Sequence, residues 1–355
     1  MSDLSSTLRW LVDTRSETGD ERRICDAIED RLRGRVPLRR VGDSLVAGAP
    51  GSRPLVLLVG HLDTVPSQGQ GPARIEGEVL HGLGAADMKG GLAVMIHLLE
   101  SPATSDGPYD VAAVFYGGEE GPASANTLEE VLSEVAWLTG ATFAVVLEPS
   151  DGEVQVGCNG SLNARVVFTG RSAHSARPWW GENAVTKAGE WLARMHRLEP
   201  DPHVVDGLEY REVFSVTMAS GGVASNVIPP RFELNLNYRF NPTRRVEEAS
   251  EIVRRICEDA DEVEIVDAAP AGPVRADHPF VDELVAASGA VLAAKQGWTD
   301  VARLGMHGVP AVNFGPGRAA QAHQEDEWVA LGELDETYEA LEAVLSGGAR
   351  SRVSS

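Results

Sequence analysis

The sequence is poor in cysteine, and this limits the class of protein that it can encode. It has 3 cysteines in 355 residues, Cys25, Cys158 and Cys257, and no two of them form a C-x-x-C pair. A sparse, odd set of this kind indicates reduced thiols in a cytosolic protein.

Basic residues are also scarce. Lys and Arg total 31 against 53 Asp and Glu, so the formal net charge is −22. Such a charge argues against nucleic acid or an anionic membrane as a partner. A small anionic substrate stays possible, because bound cations and a few arginines can reverse the local field in a cleft.

Long apolar segments are missing as well. No run reaches about 18 apolar residues, and the first residues have no basic start followed by an apolar stretch. We therefore expect neither secretion nor a membrane span, and predict a cytoplasmic protein. The last ten residues, 346–355, are rich in small polar residues and predict a disordered tail.

The remaining composition is that of a soluble globular protein. Hydrophobic residues make up 43% and charged residues 24%, which are ordinary values. Because 355 residues exceed one comfortable hydrophobic core, two domains are expected.

Four short apolar runs, each followed by a polar side chain, dominate the pattern. Non-alternating runs rich in β-forming residues suit strands that are buried on both faces of a helix-covered sheet. Ligands gather at the carboxyl ends of the strands in such sheets, so these side chains are expected to converge. The runs are residues 54–60, 109–118, 141–147 and 308–317, and they lead to His61, Glu119, Glu148 and His323.

Helical patterns precede the first run, at residues 6–16 and 20–34, and others lie between the runs, at residues 89–101 and 126–140. The expected fold class is therefore α/β, a mainly parallel sheet flanked by helices. Between residues 161 and 271 the order changes to β-α-β-β-α-β, that of a ferredoxin-like unit. We predict an inserted α+β domain at 161–271 and a discontinuous catalytic domain at 1–160 and 272–355.

The polar residues at the predicted strand ends form a mixed nitrogen and oxygen set. Such a set suits Zn²⁺ and tolerates Co²⁺ or Mn²⁺. One catalytic ion needs only about three protein ligands, so the surplus indicates two ions that share a carboxylate. The set comprises His61, Asp63, Asp87, Glu119, Glu120, Glu148 and His323.

Each motif taken alone has a simpler explanation. Glu119-Glu120 in "GGEEGP" is compatible with a solvated acidic turn, and Asp87 with a helix N-cap. Gly82-x-Gly84 suggests a nucleotide loop, but the third glycine is missing at the required spacing. Because polar residues follow all four predicted strands, a shared metal site is favoured over these separate explanations. The Gly-rich turn would let one glutamate bind metal while the other accepts a proton from water.

The motif series resembles a known family along nearly the whole chain and in the right order. It is similar to the dinuclear-zinc family of aminoacylases, acetylornithine deacetylases, glutamate carboxypeptidases and desuccinylases. The segments that carry the likeness are "GHLDTVP", "GLGAADMKGGLAVM", "GGEEG", "LEPS", "RSAHSARPWWGENA" and "GPGRAAQAHQEDE".

The resemblance implies a role for each residue of the cluster. Asp87 would bridge two zinc ions, with His61 and Glu148 on one side and Glu120 and His323 on the other. The residues alone leave the assignment of ligands to each ion open. Asp63 would orient His61, as carboxylates near ligating histidines commonly do, and Glu119 would be the general base.

The resemblance also implies a zinc-exopeptidase-like catalytic domain and an inserted lid domain through which two copies dimerise. His174 lies in the inserted domain, and its counterpart in relatives reaches the site of the partner subunit and donates to the oxyanion.

The substrate is expected to be a small N-acyl amino acid. Glutamate at Glu148 is typical of deacylases and carboxypeptidases in the family, and "SARPWWGENA" with "QGWTDVARL" is most similar to actinobacterial succinyl-diaminopimelate desuccinylases. Arg177 and Arg239 are then candidates for binding substrate carboxylates, since a guanidinium matches a carboxylate bidentately. The resemblance also assigns Asn226, Ser161 and Thr299 to the substrate cleft.

Two alternatives remain open at the level of sequence. Another deacylase of the family, acting on acetylornithine or on a broader range of N-acyl amino acids, would keep every metal ligand. A non-catalytic metal-binding or carrier protein could use the same fold, although such a protein has no need of a general base at Glu119.

Overall fold

The computed structural model describes residues 3–122 and 124–348. Two compact units are found within the chain. Unit 1 comprises the described residues of Met1–Val156, Arg275–Ala293 and Arg303–Ser355, and unit 2 comprises Gly157–Val274 and Ala294–Ala302. Residues 349–355 of the predicted tail lie outside the described part of the chain.

The described residues form sixteen strands and eleven α-helices. The strands are β1 Leu38–Val41, β2 Ser44–Ala47, β3 Leu55–His61, β4 Arg74–Glu76, β5 Val79–His81, β6 Asp110–Tyr116, β7 Phe143–Pro149, β8 Val154–Val156, β9 Gly160–Thr169, β10 Asp201–Val205, β11 Leu208–Gly221, β12 Arg231–Phe240, β13 Glu262–Ala269, β14 Leu292–Ala294, β15 Ala311–Gly315 and β16 Trp328–Ala330. The helices are α1 Asp3–Asp13, α2 Arg22–Leu32, α3 Gly90–Glu100, α4 Pro102–Ser105, α5 Leu128–Glu134, α6 Ala184–Lys187, α7 Gly189–His196, α8 Val246–Ile256, α9 Pro279–Ser288, α10 Val301–Met306 and α11 Leu331–Leu345.

Unit 1 is built on an eight-stranded sheet in the order β1-β2-β6-β3-β7-β15-β8-β14. The four central strands, β6, β3, β7 and β15, run parallel to one another, whereas β2 and β8 pair antiparallel with them. Every residue of β3, β7 and β15 is buried. The predicted class, a mainly parallel sheet with strands buried on both faces, is confirmed.

Helix α3 is the main cover of the central strands. It packs against β3, β6 and β7 on one side and against α1 and α11 on the other. Its apolar residues are buried all round rather than along one stripe, as expected for a helix inside a large domain. A separate three-stranded sheet, in the order β16-β5-β4, lies in the same unit.

Unit 2 contains a five-stranded antiparallel sheet in the order β10-β11-β12-β9-β13. Side chains of β9 and β12 alternate between buried and half-buried. The buried ones pack with α6, α7 and α8 around Trp191 and Phe168. The α+β nature of this domain agrees with the prediction, and four of its strands follow the ferredoxin-like order.

Three details of the predicted elements were wrong. The additional strand β10 was missed because it is a short edge strand that contains Pro202, a residue tolerated only at sheet edges. The helix predicted at 126–140 ends at Glu134, since Val135 leaves the helical region and a 3₁₀ turn follows. The first helix predicted within 161–271 is split into α6 and α7 before Gly189, a poor helix former.

Among the described residues, no helix is both long and apolar enough to cross a membrane.

Candidate metal centre and active site

The parallel strands of unit 1 bring polar side chains together at their carboxyl ends. His61 is the last residue of β3, and Glu148 lies at the penultimate position of β7. Glu119 and Glu120 follow β6, and His323 follows β15 after a 3₁₀ turn. Because these four strands are neighbours and parallel, their polar ends meet at one edge of the sheet.

Asp87 reaches this edge from a loop rather than from a strand. It lies in a tight turn, Ala85–Lys89, directly before α3, and its backbone is non-helical. Its peptide bond to Met88 is cis. Helix α3 begins only at Gly90, so Asp87 is not the N-cap of that helix.

The carboxylate of Asp87 lies between the two imidazoles. Its Oδ1 is 3.2 Å from Nε2 of His61, and its Oδ2 is 3.7 Å from Nε2 of His323. The two oxygens of one carboxylate therefore face different histidines. This is the arrangement that a bridging ligand requires.

Each imidazole also faces a second carboxylate. Nε2 of His61 is 3.7 Å from Oε1 of Glu148, and Nε2 of His323 is 2.8 Å from Oε2 of Glu120. Two donor atoms on the same tetrahedral zinc ion lie roughly 3.4 Å apart, given metal–ligand distances of about 2.0–2.2 Å. The donor spacing therefore fits two ions, with Asp87 common to both groups.

The electrostatics of the cluster favour positive charge. Burial alone would lower the pKa of His61, but the nearby carboxylate of Asp63 and the hydrogen bond with Asp87 outweigh burial and hold that pKa well above its usual range. The hydrogen bond with Glu120 raises the pKa of His323 to about 9. A metal ion bound here would replace these protons.

His323 differs from the other members of the cluster in exposure and backbone. Its side chain is 55% exposed, and its φ of 63° is in the left-handed region. A non-glycine residue rarely adopts this conformation unless the surrounding structure imposes it.

Asp63 organises the cluster through the backbone. Its carboxylate accepts hydrogen bonds from the N–H groups of Glu119, at 3.1 Å, and Glu120, at 3.0 Å, and from the hydroxyl of Thr18, at 2.9 Å. Burial opposes ionisation of Asp63, but the adjacent His61 imidazole and the hydrogen bonds from the N–H of Glu120 and the hydroxyl of Thr18 lower its pKa. Asp63 is thus held as a charged acceptor.

The tautomer of His61 is fixed mainly by the backbone of Asp63. Nδ1 of His61 is 2.9 Å from the carbonyl oxygen of Asp63 and 3.6 Å from its carboxylate. A carbonyl oxygen only accepts, so Nδ1 carries a proton. Nε2 is the nitrogen that faces the carboxylates of Asp87 and Glu148.

The turn that carries Glu119 and Glu120 depends on Gly118. Its φ is 77°, and a Cβ at this position would lie 2.0 Å from the carbonyl oxygen of Ala125. No other residue fits without moving the loop. Both glutamate N–H groups then point to the same carboxylate, so the strand-like alternation of side chains ends here.

The predicted residues of unit 2 fall into two groups. His174, Arg177 and Asn226 lie on two adjacent loops, where His174 pairs with Val227 and the N–H of Ser175 donates to the carbonyl of Asn226 at 2.9 Å. All three predicted residues are exposed. The guanidinium of Arg177 stacks over the ring of Trp180, 4.9 Å from its centroid.

The second group lies on and beside the sheet of unit 2. Ser161 on β9 is directly opposite Arg239 on β12, and Nε of Arg239 donates to Oδ1 of Asn237 at 3.1 Å. Thr299 is buried, and its hydroxyl is without a hydrogen-bond partner among the described residues.

The sequence did not point to Glu327 or Thr18, which both hold parts of the centre in place. Glu327 accepts three backbone N–H groups from the loop that carries Asp87. The only sequence signal is its position four residues after His323, in the segment "HQEDE".

Comparison with known proteins places the chain in a family. The model of "Peptidase family M20/M25/M40" matches residues 57–347. The chain is 40% identical over 342 residues to the Mycobacterium tuberculosis protein named as the succinyl-diaminopimelate desuccinylase DapE, with 95% of this chain and 96% of that protein covered. It is 35% identical over 347 residues to the succinyl-diaminopimelate desuccinylase of Corynebacterium glutamicum, with 95% and 94% covered.

A solved structure agrees at the level of the fold. The crystal structure of a tripeptidase from Staphylococcus aureus matches with a TM-score of 0.80 and 21% identity, covering 98% of both chains. The predicted family resemblance is confirmed. The chain belongs to peptidase family M20/M25/M40 and is a metal-dependent amidohydrolase of that family.

Proposed function

We propose that this enzyme hydrolyses the amide bond of N-succinyl-LL-2,6-diaminopimelate to succinate and LL-diaminopimelate. The observation that carries the chemistry is the carboxylate of Asp87 between His61 and His323. The substrate is supported by two relatives named as succinyl-diaminopimelate desuccinylases, which match 95% of the chain.

The donor set fits two divalent ions, which we propose to be Zn²⁺, with Co²⁺ or Mn²⁺ as substitutes. His61 and Glu148 would hold one ion, Glu120 and His323 the other, and Asp87 both. When bound, such ions polarise an amide carbonyl and make water more acidic.

The proton transfers are assigned to Glu119. As general base it takes a proton from the attacking water, and as general acid it returns that proton to the leaving amine. Its support is its position directly beside Glu120, with both N–H groups held by the carboxylate of Asp63. Asp63 acts as a positioning residue for this pair and for His61.

Unit 2 is proposed to be a lid and dimerisation domain. Exposed apolar side chains on this unit, such as Met218 at 70% and Val223 at 73% exposure, support contact with a second copy. His174 from the partner copy would then donate to the oxyanion. Mixing His174→Ala with Glu119→Ala subunits tests this: heterodimers should regain part of the activity, and confirmed heterodimers without activity would contradict the shared site.

Substrate recognition is assigned to residues of unit 2. We propose that Arg177 and Arg239 bind substrate carboxylates, for which a guanidinium provides matched donors. Asn226, Ser161 and Thr299 would complete the polar lining. The support is the placement of Arg177 and Asn226 on adjacent loops and of Ser161 opposite Arg239. The buried free thiols of the three cysteines support a cytoplasmic location.

The substrate assignment is tested with purified, zinc-loaded enzyme. Release of free amine is followed with N-succinyl-LL-2,6-diaminopimelate and, separately, with N-acetylornithine, using Glu119→Gln as the inactive control. Fast cleavage of the succinyl compound alone supports the proposal. Preferential cleavage of acetylornithine would replace it with the deacetylase alternative, and cleavage of neither would contradict both.

A further inference from the structure

Glu327 is a buried carboxylate outside the proposed ligand set. It directly precedes β16, and only 2% of the residue is exposed. Its Oε2 accepts the N–H of Gly84 at 2.8 Å, and its Oε1 accepts the N–H groups of Ala86 at 2.8 Å and Asp87 at 2.9 Å. Three backbone hydrogen bonds therefore converge on one side chain.

The loop that donates these hydrogen bonds forms a tight turn, in which backbone N–H groups have few other acceptors. Gly84 has a φ of 77°, and a Cβ there would lie 2.6 Å from Cγ2 of Thr64, so the turn is tight and closely packed. Buried N–H groups without acceptors destabilise the folded state. A carboxylate at the inside of the turn removes that cost for three groups at once.

The backbone of Glu327 is held on its carbonyl side. Its carbonyl oxygen accepts the N–H of Gly82 at 3.0 Å, and the next residue, Trp328, pairs with His81 in the three-stranded sheet. The carboxylate therefore has little freedom to follow the loop if the loop shifts. Glu327 can set the position of the turn rather than merely adapt to it.

We propose that Glu327 is a positioning residue for the metal centre, acting through Asp87. It holds the N–H of the residue whose carboxylate faces both His61 and His323. It also joins this turn to the segment of His323, four residues earlier in the chain. One buried side chain thereby sets the spacing between the bridging ligand and an imidazole ligand. This inference rests on the proposed two-metal function.

The substitution Glu327→Gln tests the role with little change in shape. The amide oxygen can accept only part of the three N–H groups, and the amide NH₂ opposes the rest. Glu325→Gln is the matched control, because Glu325 is exposed on the same segment. Affinity for Zn²⁺ is measured by competition with a chromogenic chelator, and the Co²⁺-loaded proteins are compared by visible absorption.

We expect Glu327→Gln to bind the ions about 10- to 100-fold more weakly, as substitutions of residues that support metal ligands commonly do. The Co²⁺ absorption bands should change, and kcat at saturating metal should fall with KM retained. Glu325→Gln should match the wild type in all three measurements. A folded Glu327→Gln protein with wild-type affinity and spectrum would overturn the positioning role.

Folding is checked separately by thermal unfolding of the metal-free proteins. If Glu327→Gln does not fold, Glu327→Asp, which keeps the carboxyl group and shortens the side chain, takes its place with the same expectation. Failure of both to fold would show a purely structural residue and overturn the proposal. Wild-type protein that bound no ions would instead overturn the proposed function, and the role of Glu327 with it.

Discussion

Two clusters of histidine and carboxylate side chains occur in the described part of the chain, one in each unit. In unit 1 the donor atoms of His61, Asp87 and Glu120 lie within 4.8 Å of one another, and in unit 2 those of Asp201, His203 and Glu212 do so. By proximity of donor atoms the two are equivalent. Their surroundings are not.

The cluster of unit 2 has its own permanent positive charge. Nε of Arg244 donates to Oε1 of Glu212 at 2.5 Å, and the hydroxyl of Tyr238 donates to Oε2 at 2.7 Å. The side-chain amide of Asn241 donates to the same carboxylate. The negative charge of Glu212 is thus balanced by Arg244, and its carboxylate is hydrogen-bonded, without a metal ion.

The clusters also differ in how the chain assembles them. Asp201 lies opposite Glu212 in the hairpin of β10 and β11, so that cluster is local in sequence. The cluster of unit 1 draws on parallel strand ends and two loops far apart in the chain. Proximity of ligand atoms is therefore weak evidence for a metal site, and the source of the balancing charge separates the two cases.

The strongest contrast is expected from removing the shared carboxylate of unit 1. Asp87→Asn should lose bound metal and reduce kcat/KM about a thousandfold or more, because several kcal/mol of transition-state stabilisation depend on the ions. Asp201→Asn, the counterpart in unit 2, should change neither. Metal content by elemental analysis and amine release measure both, and loss of an ion from Asp201→Asn would show that the second cluster also binds metal.

Within unit 1, Glu119→Gln separates proton transfer from metal binding. The variant should keep its metal content and lose about 10²- to 10⁴-fold in kcat, the range for general acid–base groups. Single-turnover kinetics with metal analysis of the same sample check this. Retained activity would contradict the assignment of Glu119 as the base.

Much of the cluster of unit 1 could be predicted from sequence, because parallel strands bring their carboxyl ends to the same edge of a sheet. Apolar runs of β-forming residues fix β3 and β7, and the polar residue at each strand end then has to lie at one edge of the sheet. Strand β12 belongs to the predicted β-α-β-β-α-β order, and its regular alternation of polar and apolar residues is the reason that a strand could be expected there.

The supporting contacts could not be predicted, for a physical reason. Glu327 and the carboxylate of Asp63 bind backbone N–H groups, and every residue except proline has one of these. Which of them points inward depends on the path of the loop. The ligands have a signature in residue type, whereas their supports have a signature only in backbone geometry.

A smaller effect is expected from breaking the charge balance of unit 2. Glu212→Ala should lower the free energy of unfolding by roughly 3 kcal/mol, because it leaves Arg244 and Tyr238 without their acceptor. Since no ion is involved, a chelator should not change this difference. Chemical unfolding with and without chelator measures it, with Glu209→Gln on the exposed side of the hairpin as control. A difference that disappears on chelation would assign a metal to Glu212.

The smallest effect is the pH dependence of that same contribution. Burial opposes ionisation of Glu212, but hydrogen bonds from Arg244, Tyr238 and Asn241 lower its pKa below the ordinary value of 4.5. A lowered pKa in the folded state means that the unfolded state binds the proton more readily. The stabilisation is thus complete above about pH 4.5 and decreases as the pH falls through the folded-state pKa.

The stability difference between wild type and Glu212→Gln should be constant near neutral pH and shrink below pH 4.5, as unfolding curves at successive pH values would show. A difference that grew on acidification would mean that Glu212 is protonated in the folded protein, and the charge balance that distinguishes the two clusters would then be wrong.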